Sequence, residues 1–162
     1  MGTSRVKPTA ASLDLTVVVT NVLEDLAFLV SDDGPLRSTP ETHWLECAIS
    51  YQGPVSGKLT CWCTRNFAIQ LAANLLGADP ENDEVLNQIG DALREFMNVV
   101  CGQFVTTMHG SGPVFDLTIP TATDCPSPPE FNAEGEDAAC LLSVSGEPFY
   151  CIYRPIDGDS VQ

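Results

Sequence analysis

The chain has 162 residues, of which 44% are hydrophobic, so it is long enough to bury the core of one domain. Its 22 Asp and Glu residues outnumber its 7 Lys and Arg residues. The resulting formal net charge of -15 excludes a basic face for nucleic acid or an anionic membrane. We also find no apolar run of the roughly 20 residues that a membrane span needs. The absence of an export signal and the odd count of seven cysteines lead us to expect a cytoplasmic protein.

The first half of the chain is predicted to contain an arm, a helix and a hairpin. Residues 1–12 are polar and are expected to form a loose arm. Apolar residues recur at helical spacing through residues 17–30, which predicts a first helix that ends before a Ser-Asp-Asp-Gly-Pro breaker. Alternating patterns at residues 44–51 and 57–63, joined by a Gln-Gly-Pro turn, predict a β-hairpin.

Two helices are predicted next. Asn66 is interpreted as the cap of a helix that ends at Gly77. The longest helical pattern begins at Asp83 or Glu84 and continues to about Thr107, before a Gly-Ser-Gly-Pro stop.

The last part of the chain is predicted to be strands around a long polar loop. The expected strands cover residues 114–120, 138–144 and 149–154, and the loop covers residues 123–137. The order helix, two strands, two helices, three strands predicts an α+β fold with helices packed on a largely antiparallel sheet. We expect a single domain over residues 13–155 and a C-terminal tail at residues 156–162.

The longest predicted helix has one apolar and one polar face. Its large apolar side chains share an arc of roughly 100° and are expected to face the core: Leu86, Ile89, Leu93, Phe96, Met97, Val100 and Phe104. Asp91, Glu95 and Asn98 lie on the opposite face, and Gly102 follows one turn beyond Asn98. A solvated face is the ordinary explanation of such a pattern. Because Asn and Gly are poor helix formers, the pattern also fits a face kept open for a partner's backbone.

The run GDALREFMNVVCG at residues 90–102 resembles the signature helix of the CheC/CheX family of phosphatases, which act on the chemotaxis response regulator CheY. The family motif is Asp or Ser, three residues, Glu, two residues and Asn, followed by a Pro twenty-odd residues later. Asp91, Glu95 and Asn98 match this motif in register, and Pro120 fits the distant proline. The order of elements is similar over most of residues 15–155. The resemblance implies a CheC/CheX-like fold with internal pseudosymmetry.

The resemblance also implies how the site would work on its partner, a phosphorylated CheY-type receiver domain. Glu95 would pair with the active-site lysine of the receiver, and Asn98 would hold a water in line with the aspartyl phosphate. Asp91 and Gly102 would belong to the partner-binding surface. This chain would bind no cofactor, because the receiver supplies its own Mg²⁺. This division of roles between the chain and the receiver is physically sound, since phosphoryl transfer mainly needs positioning and charge stabilisation.

Some family members carry the motif twice, so the first predicted helix is a useful comparison. Thr20, Glu24 and Ala27 occupy its corresponding positions. Because Ala27 cannot hold a water, the resemblance implies a CheX-like molecule with one site, and Glu24 is interpreted as an ordinary exposed carboxylate. Family members can dimerise by pairing sheets, so a homodimer through sheet edges is a further expectation.

Two other classes of function remain open from the sequence. The first is a non-catalytic adaptor that binds a receiver domain or a flagellar switch component. The second is a thiol-based redox or metal protein, because Cys61 and Cys63 share one face of a predicted strand and Cys47 and Cys151 lie on others. Their spacing is not typical of a zinc site, and burial of the cysteines in the core is the favoured interpretation.

Overall fold

The computed structural model of the chain describes residues 9–32, 42–129 and 138–156. The elements follow the chain in this order: α1 Ala10–Ala27, β1 Trp44–Gln52, β2 Ser56–Thr64, α2 Arg65–Leu76, α3 Asp83–Asn87, α4 Ile89–His109, β3 Asp116–Leu117, β4 Thr121–Cys125, β5 Ala138–Val144 and β6 Glu147–Ile156. The predicted α+β class with a largely antiparallel sheet is confirmed. Within the described ranges, every helix falls short of the length and apolar character that would cross a bilayer.

The sheet is built from antiparallel pairs in the order β3-β1-β2-β6-β5, with β4 also paired to β1. The predicted hairpin is confirmed: β1 and β2 pair from Trp44 opposite Thr64 to Tyr51 opposite Gly57. Alternate strand residues face the helices, because successive side chains of a strand point to opposite sides of a sheet. One row of these inward residues consists of Cys47, Cys61, Cys151 and Cys140 on four neighbouring strands.

The helices and the inward side chains of the sheet share one hydrophobic core. The predicted apolar face of α4 is confirmed, since Leu93, Phe96 and Phe104 are fully buried. Phe96 contacts Phe149 edge to face at 5.7 Å between ring centroids, and Phe104 contacts Tyr153 at 5.0 Å. These contacts fix the rotation of α4 about its axis and leave its opposite face outward.

The first helix begins and ends earlier than predicted. Thr9 caps it by accepting a hydrogen bond from the Ser12 backbone N–H at 3.1 Å, so residues 10–12 of the predicted arm are helical. The helix stops at Phe28, whose φ of 55° is left-handed and whose N–H bonds back to Glu24. Residues 28–30 are therefore outside the helix, and residues 1–8 of the predicted arm lie outside the described residues.

The second predicted helix has a different cap, and the longest predicted helix is two helices. Thr64 rather than Asn66 caps α2, its hydroxyl accepting from the Phe67 N–H at 3.1 Å, whereas the stop at Gly77 is confirmed. Gln88, with φ -113° and ψ 16°, separates α3 from α4. The break lets α3 pack Val85 into a small apolar cluster with α2.

The strands after α4 also differ from prediction. Of the strand expected at residues 114–120, Asp116–Leu117 forms the short strand β3 beside β1, and the Thr118 N–H donates to the Ser50 carbonyl of β1. The next strand, β4, occupies Thr121–Cys125. The predicted loop at residues 123–137 is thus wrong at its start, because pairing with β1 extends those residues. Its residues 130–137 lie outside the described part. The last two strands are confirmed, although β6 is longer than expected and ends at Ile156.

Candidate active site on helix α4

The structure places the four predicted site residues on the outward face of α4. Asp91, Glu95 and Asn98 are exposed, and Gly102 is half-buried one turn further on. The neighbours Phe96 and Met97 are fully buried, so the outward direction of the motif is set by the core packing of the same helix. The site is therefore a ridge on a rigid helix and not a pocket.

The two carboxylates on this face, those of Asp91 and Glu95, differ in their partners. Asp91 forms an ion pair with Arg94 one turn away. Among the described residues, the Glu95 carboxylate and the Asn98 amide have neither a hydrogen bond nor an ion pair. Glu95 is thus the carboxylate of the ridge that is available to a cationic partner, and Asn98 keeps its donor and its acceptor available.

Arg94 is the residue of this site that the sequence interpretation missed. Its spacing of three residues from Asp91 is typical of a helical ion pair and could have indicated the contact. The pair neutralises one of the two carboxylates on the ridge. A surface pair of this kind contributes little stability, so its consequence lies in the local charge and not in the fold.

Pro120 and the first helix supply the other positions that the resemblance singled out, and both lie outside α4. Pro120 immediately precedes β4, whose residues pair with β1 beside α4. On α1, Glu24 is exposed, but Ala27 is fully buried and its carbonyl accepts a hydrogen bond from the Asn74 side chain at 2.7 Å. The position corresponding to Asn98 therefore faces the interior of the molecule and carries no amide.

The cysteines behave as core residues. Six of the seven are buried, and burial raises the pKa of both Cys101 and Cys140 to about 12. Thiols with such pKa values are poor nucleophiles at neutral pH. In the parts of the chain that are described, no three His, Cys, Asp or Glu side chains are arranged to hold a metal ion. His109 lies against Tyr51, with 3.4 Å between its Nε2 and the hydroxyl, and against the Phe115 ring.

The family model described as chemotaxis phosphatase CheX matches residues 45–128, from β1 through α4 and past β4. No curated protein matches the chain.

Several solved structures share the fold at low sequence identity. CheX from Desulfovibrio desulfuricans is 16% identical, covers 91% of this chain and all of its own, and has a TM-score of 0.67. CheX in the CheX–CheY–BeF₃–Mg²⁺ complex from Borrelia burgdorferi is 21% identical over 90% of this chain and 97% of its own, with a TM-score of 0.65. A CheC-like protein from Shewanella sp. PV-4 is 18% identical over 92% of this chain and 99% of its own, with a TM-score of 0.62. The family match spans more than half of the sequence and includes the whole ridge on α4, so the chain belongs to the CheX family of chemotaxis phosphatases.

Proposed function

We propose that this protein hydrolyses the aspartyl phosphate of a CheY-type receiver domain that docks on the outward face of α4. The observation that carries the proposal is the pair of exposed, unpartnered side chains, Glu95 and Asn98, on one face of a helix whose other face is locked into the core. The complex of CheX with CheY, BeF₃ and Mg²⁺ from Borrelia burgdorferi supports a receiver domain as the partner.

Glu95 orients the docked receiver. Its carboxylate forms an ion pair with the active-site lysine that a receiver domain carries beside its phosphorylated aspartate. Because the carboxylate has no partner in the described part of the free protein, the new ion pair replaces only bound water. A charge-assisted hydrogen bond formed at the rim of an interface is stronger than a neutral one and fixes direction as well as distance.

Asn98 positions the attacking water. The amide oxygen accepts a hydrogen bond from the water and the amide N–H₂ donates one to a phosphoryl oxygen or to the water itself. The water oxygen forms a bond to phosphorus as the bond from phosphorus to the aspartyl oxygen breaks. The electron pair of that bond returns to the receiver carboxylate, and inorganic phosphate and a proton are released. A neutral side chain suits this place, because a carboxylate would repel both the phosphoryl group and the acidic pocket.

Asp91 and Gly102 frame the two functional residues. The ion pair of Asp91 with Arg94 leaves Glu95 as the uncompensated carboxylate of the ridge, which limits repulsion from the acidic pocket of a receiver. Gly102 leaves room beside Asn98 for the partner. The receiver supplies the Mg²⁺ of the reaction, as the composition of the Borrelia complex suggests.

The competing proposal is a receiver-binding adaptor without catalysis, since membership of a family does not by itself establish activity. The two are separated by incubating a phosphorylated CheY-type receiver with Mg²⁺ and the full chain, and measuring phosphate release and binding together. The enzyme accelerates release, whereas an adaptor binds and leaves the rate unchanged. If the double variant Glu95→Ala, Asn98→Ala released phosphate as fast as the wild type, the assigned site would be wrong.

We further propose a cytoplasmic protein that can form a homodimer through a sheet edge. Buried free thiols suit a reducing compartment. The β5 edge is partly capped, because the Ala139 N–H donates to the Ser12 hydroxyl and the Asp32 N–H donates to the Ser143 carbonyl. We therefore expect pairing at the β4 edge. Sedimentation equilibrium tests the dimer, and a single monomeric species at high concentration would contradict it.

A further inference from the structure

A cleft of about 520 Å³ lies where β1 begins and β4 ends, beside the first residue of α2. We call it the β1 cleft, and the residues that line it are His43, Trp44, Leu45, Arg65, Asp124, Cys125 and Pro126. Among the described residues, none of those lining the cleft belongs to α4. A role for the β1 cleft is therefore independent of the phosphatase proposal. Its volume is within the range of sites that bind small molecules.

The β1 cleft has an apolar part that includes an indole ring. Trp44, Leu45 and Pro126 supply this part, and Trp44 is only 6% exposed. The Trp44 ring stacks on Tyr150 with 5.8 Å between the ring centroids. In the described part of the chain, the indole N–H of Trp44 donates no hydrogen bond. Because a buried Trp usually finds a partner for this group, Trp44 offers the cleft both apolar surface and an unused donor.

Two side chains of opposite charge, Arg65 and Asp124, line the β1 cleft without forming an ion pair with each other. Both are exposed, and within residues 9–32, 42–129 and 138–156 neither side chain has a hydrogen bond or an ion pair. They flank the beginning of β1, since the Arg65 N–H donates to the His43 carbonyl and Asp124 pairs with Leu45. From the strand spacing and the rise per residue, their backbones lie roughly 10–12 Å apart. The space between the guanidinium and the carboxylate is therefore open to a ligand.

We propose that the β1 cleft binds a free α-amino acid with an apolar side chain. The carboxylate of the ligand accepts hydrogen bonds from the Arg65 guanidinium, whose planar fork suits a bidentate contact. The ammonium group pairs with Asp124, and the apolar side chain lies against Trp44. A ligand with both charges compensates both side chains, whereas a simple anion would lie close to the Asp124 carboxylate. A zwitterion also has no net charge for a protein of net charge -15 to repel.

The test is calorimetric titration of the full chain with phenylalanine and with two matched ligands that carry the same ring. Hydrocinnamate lacks the ammonium group of phenylalanine, and phenethylamine lacks its carboxylate. We expect phenylalanine to bind roughly tenfold more tightly than either, because each of them loses one charged contact. Cys125 gives a second readout at the site itself. Since Cys125 lines the cleft, bound phenylalanine should slow the reaction of its thiol with an aromatic disulfide reagent.

Two substitutions separate the charged contacts. Arg65→Gln should weaken the binding of phenylalanine and of hydrocinnamate about tenfold and leave phenethylamine unchanged. Asp124→Asn should weaken phenylalanine and phenethylamine and leave hydrocinnamate unchanged. Lys58→Gln is the matched control, since it removes an exposed cation of β2 that does not line the cleft, and it should bind all three ligands like the wild type. Because the substituted side chains are exposed, the unfolding midpoints should stay at the wild-type value.

Three results would overturn the proposal. The first is a wild-type chain that binds no phenylalanine at millimolar concentration. The second is equal affinity for phenylalanine and hydrocinnamate, which would leave the ammonium group and Asp124 without a role. The third is binding of phenylalanine that neither Arg65→Gln nor Asp124→Asn weakens and that leaves the Cys125 reaction unprotected, which would place the ligand outside the β1 cleft.

Discussion

Glu95 and Asn98 lie one helical turn apart on the ridge of α4, but one is charged and the other is neutral. In the proposed function, that difference is the reason for giving Glu95 the docking role and Asn98 the reacting water. The directions of both side chains could be predicted from the sequence, because helical spacing and the apolar stripe together fix which residues face outward. Their lack of partners could not be predicted in that way, since it depends on where Arg94 and the neighbouring elements lie.

The role of Glu95 predicts a loss of affinity when its charge is removed without a change of shape. We expect Glu95→Gln to raise the KM for a phosphorylated receiver about tenfold, with a smaller effect on kcat, because the receiver lysine loses its ion-pair partner. Steady-state phosphate release measures both constants. Glu24→Gln removes an exposed carboxylate at the corresponding position of α1 and serves as the control, which should behave like the wild type. Equal kinetics for the two variants would refute the docking role.

At the scale of elements, sequence patterns predicted correctly the features that depend on residues close together in the chain. The β1–β2 hairpin, the stop at Gly77 and the apolar face of α4 follow from alternation, a left-handed glycine and helical periodicity. The strand β4 could not be predicted, because Thr121–Cys125 has little apolar character and becomes extended through pairing with a strand far away in the sequence. The break at Gln88 was hidden for a similar reason, since the apolar spacing continues through it.

The cap of α2 shows how a strand can decide where a helix begins. Thr64 is the last residue of β2 and pairs with Trp44, so the chain leaves the sheet there and the hydroxyl of Thr64 reaches the Phe67 N–H. Asn66 has a suitable side chain, but it lies inside the first turn of α2.

We therefore expect Thr64→Ala to lower the free energy of unfolding by about 1–2 kcal/mol, through loss of the cap and of the hydrogen bond that Thr64 donates to Glu147. Thr64→Ser should retain most of the stability. Asn66→Ala is the matched control, with a change within about 0.5 kcal/mol. Urea unfolding measures all three. A larger loss for Asn66→Ala than for Thr64→Ala would show that the cap is misassigned.

At the scale of the whole molecule, the net charge and the burial of the cysteines both bear on the proposed function. A net charge of -15 does not attract the acidic pocket of a receiver, so the docking that we propose depends on short-range complementarity along α4. From the sequence, a thiol site at Cys47, Cys61, Cys63 and Cys151 remained open, although burial of these cysteines in the core was the favoured interpretation. The fold confirms that all four are buried in the core, where desolvation raises the pKa of Cys61 and Cys151 well above the usual range.

Burial of the cysteines predicts a distinctive pattern of thiol reactivity. In the native protein, Cys125 is half-buried and should react rapidly with an aromatic disulfide reagent, whereas the other six thiols should react only as the protein unfolds. The reaction is followed by absorbance with and without denaturant. Cys125→Ser should remove the fast phase. Rapid reaction of several thiols in the Cys125→Ser variant would return the thiol-based function to consideration.

The central claim is that Asn98 acts on the reacting water and not on docking, and single-turnover kinetics test it most directly. A phosphorylated receiver with Mg²⁺ is mixed with saturating wild-type protein or Asn98→Ala, and loss of the aspartyl phosphate is followed in time while binding is measured in parallel. We predict that Asn98→Ala binds the receiver nearly as well as the wild type and slows phosphate loss about 100-fold. Phosphate loss at the wild-type rate by the bound Asn98→Ala variant would contradict the account.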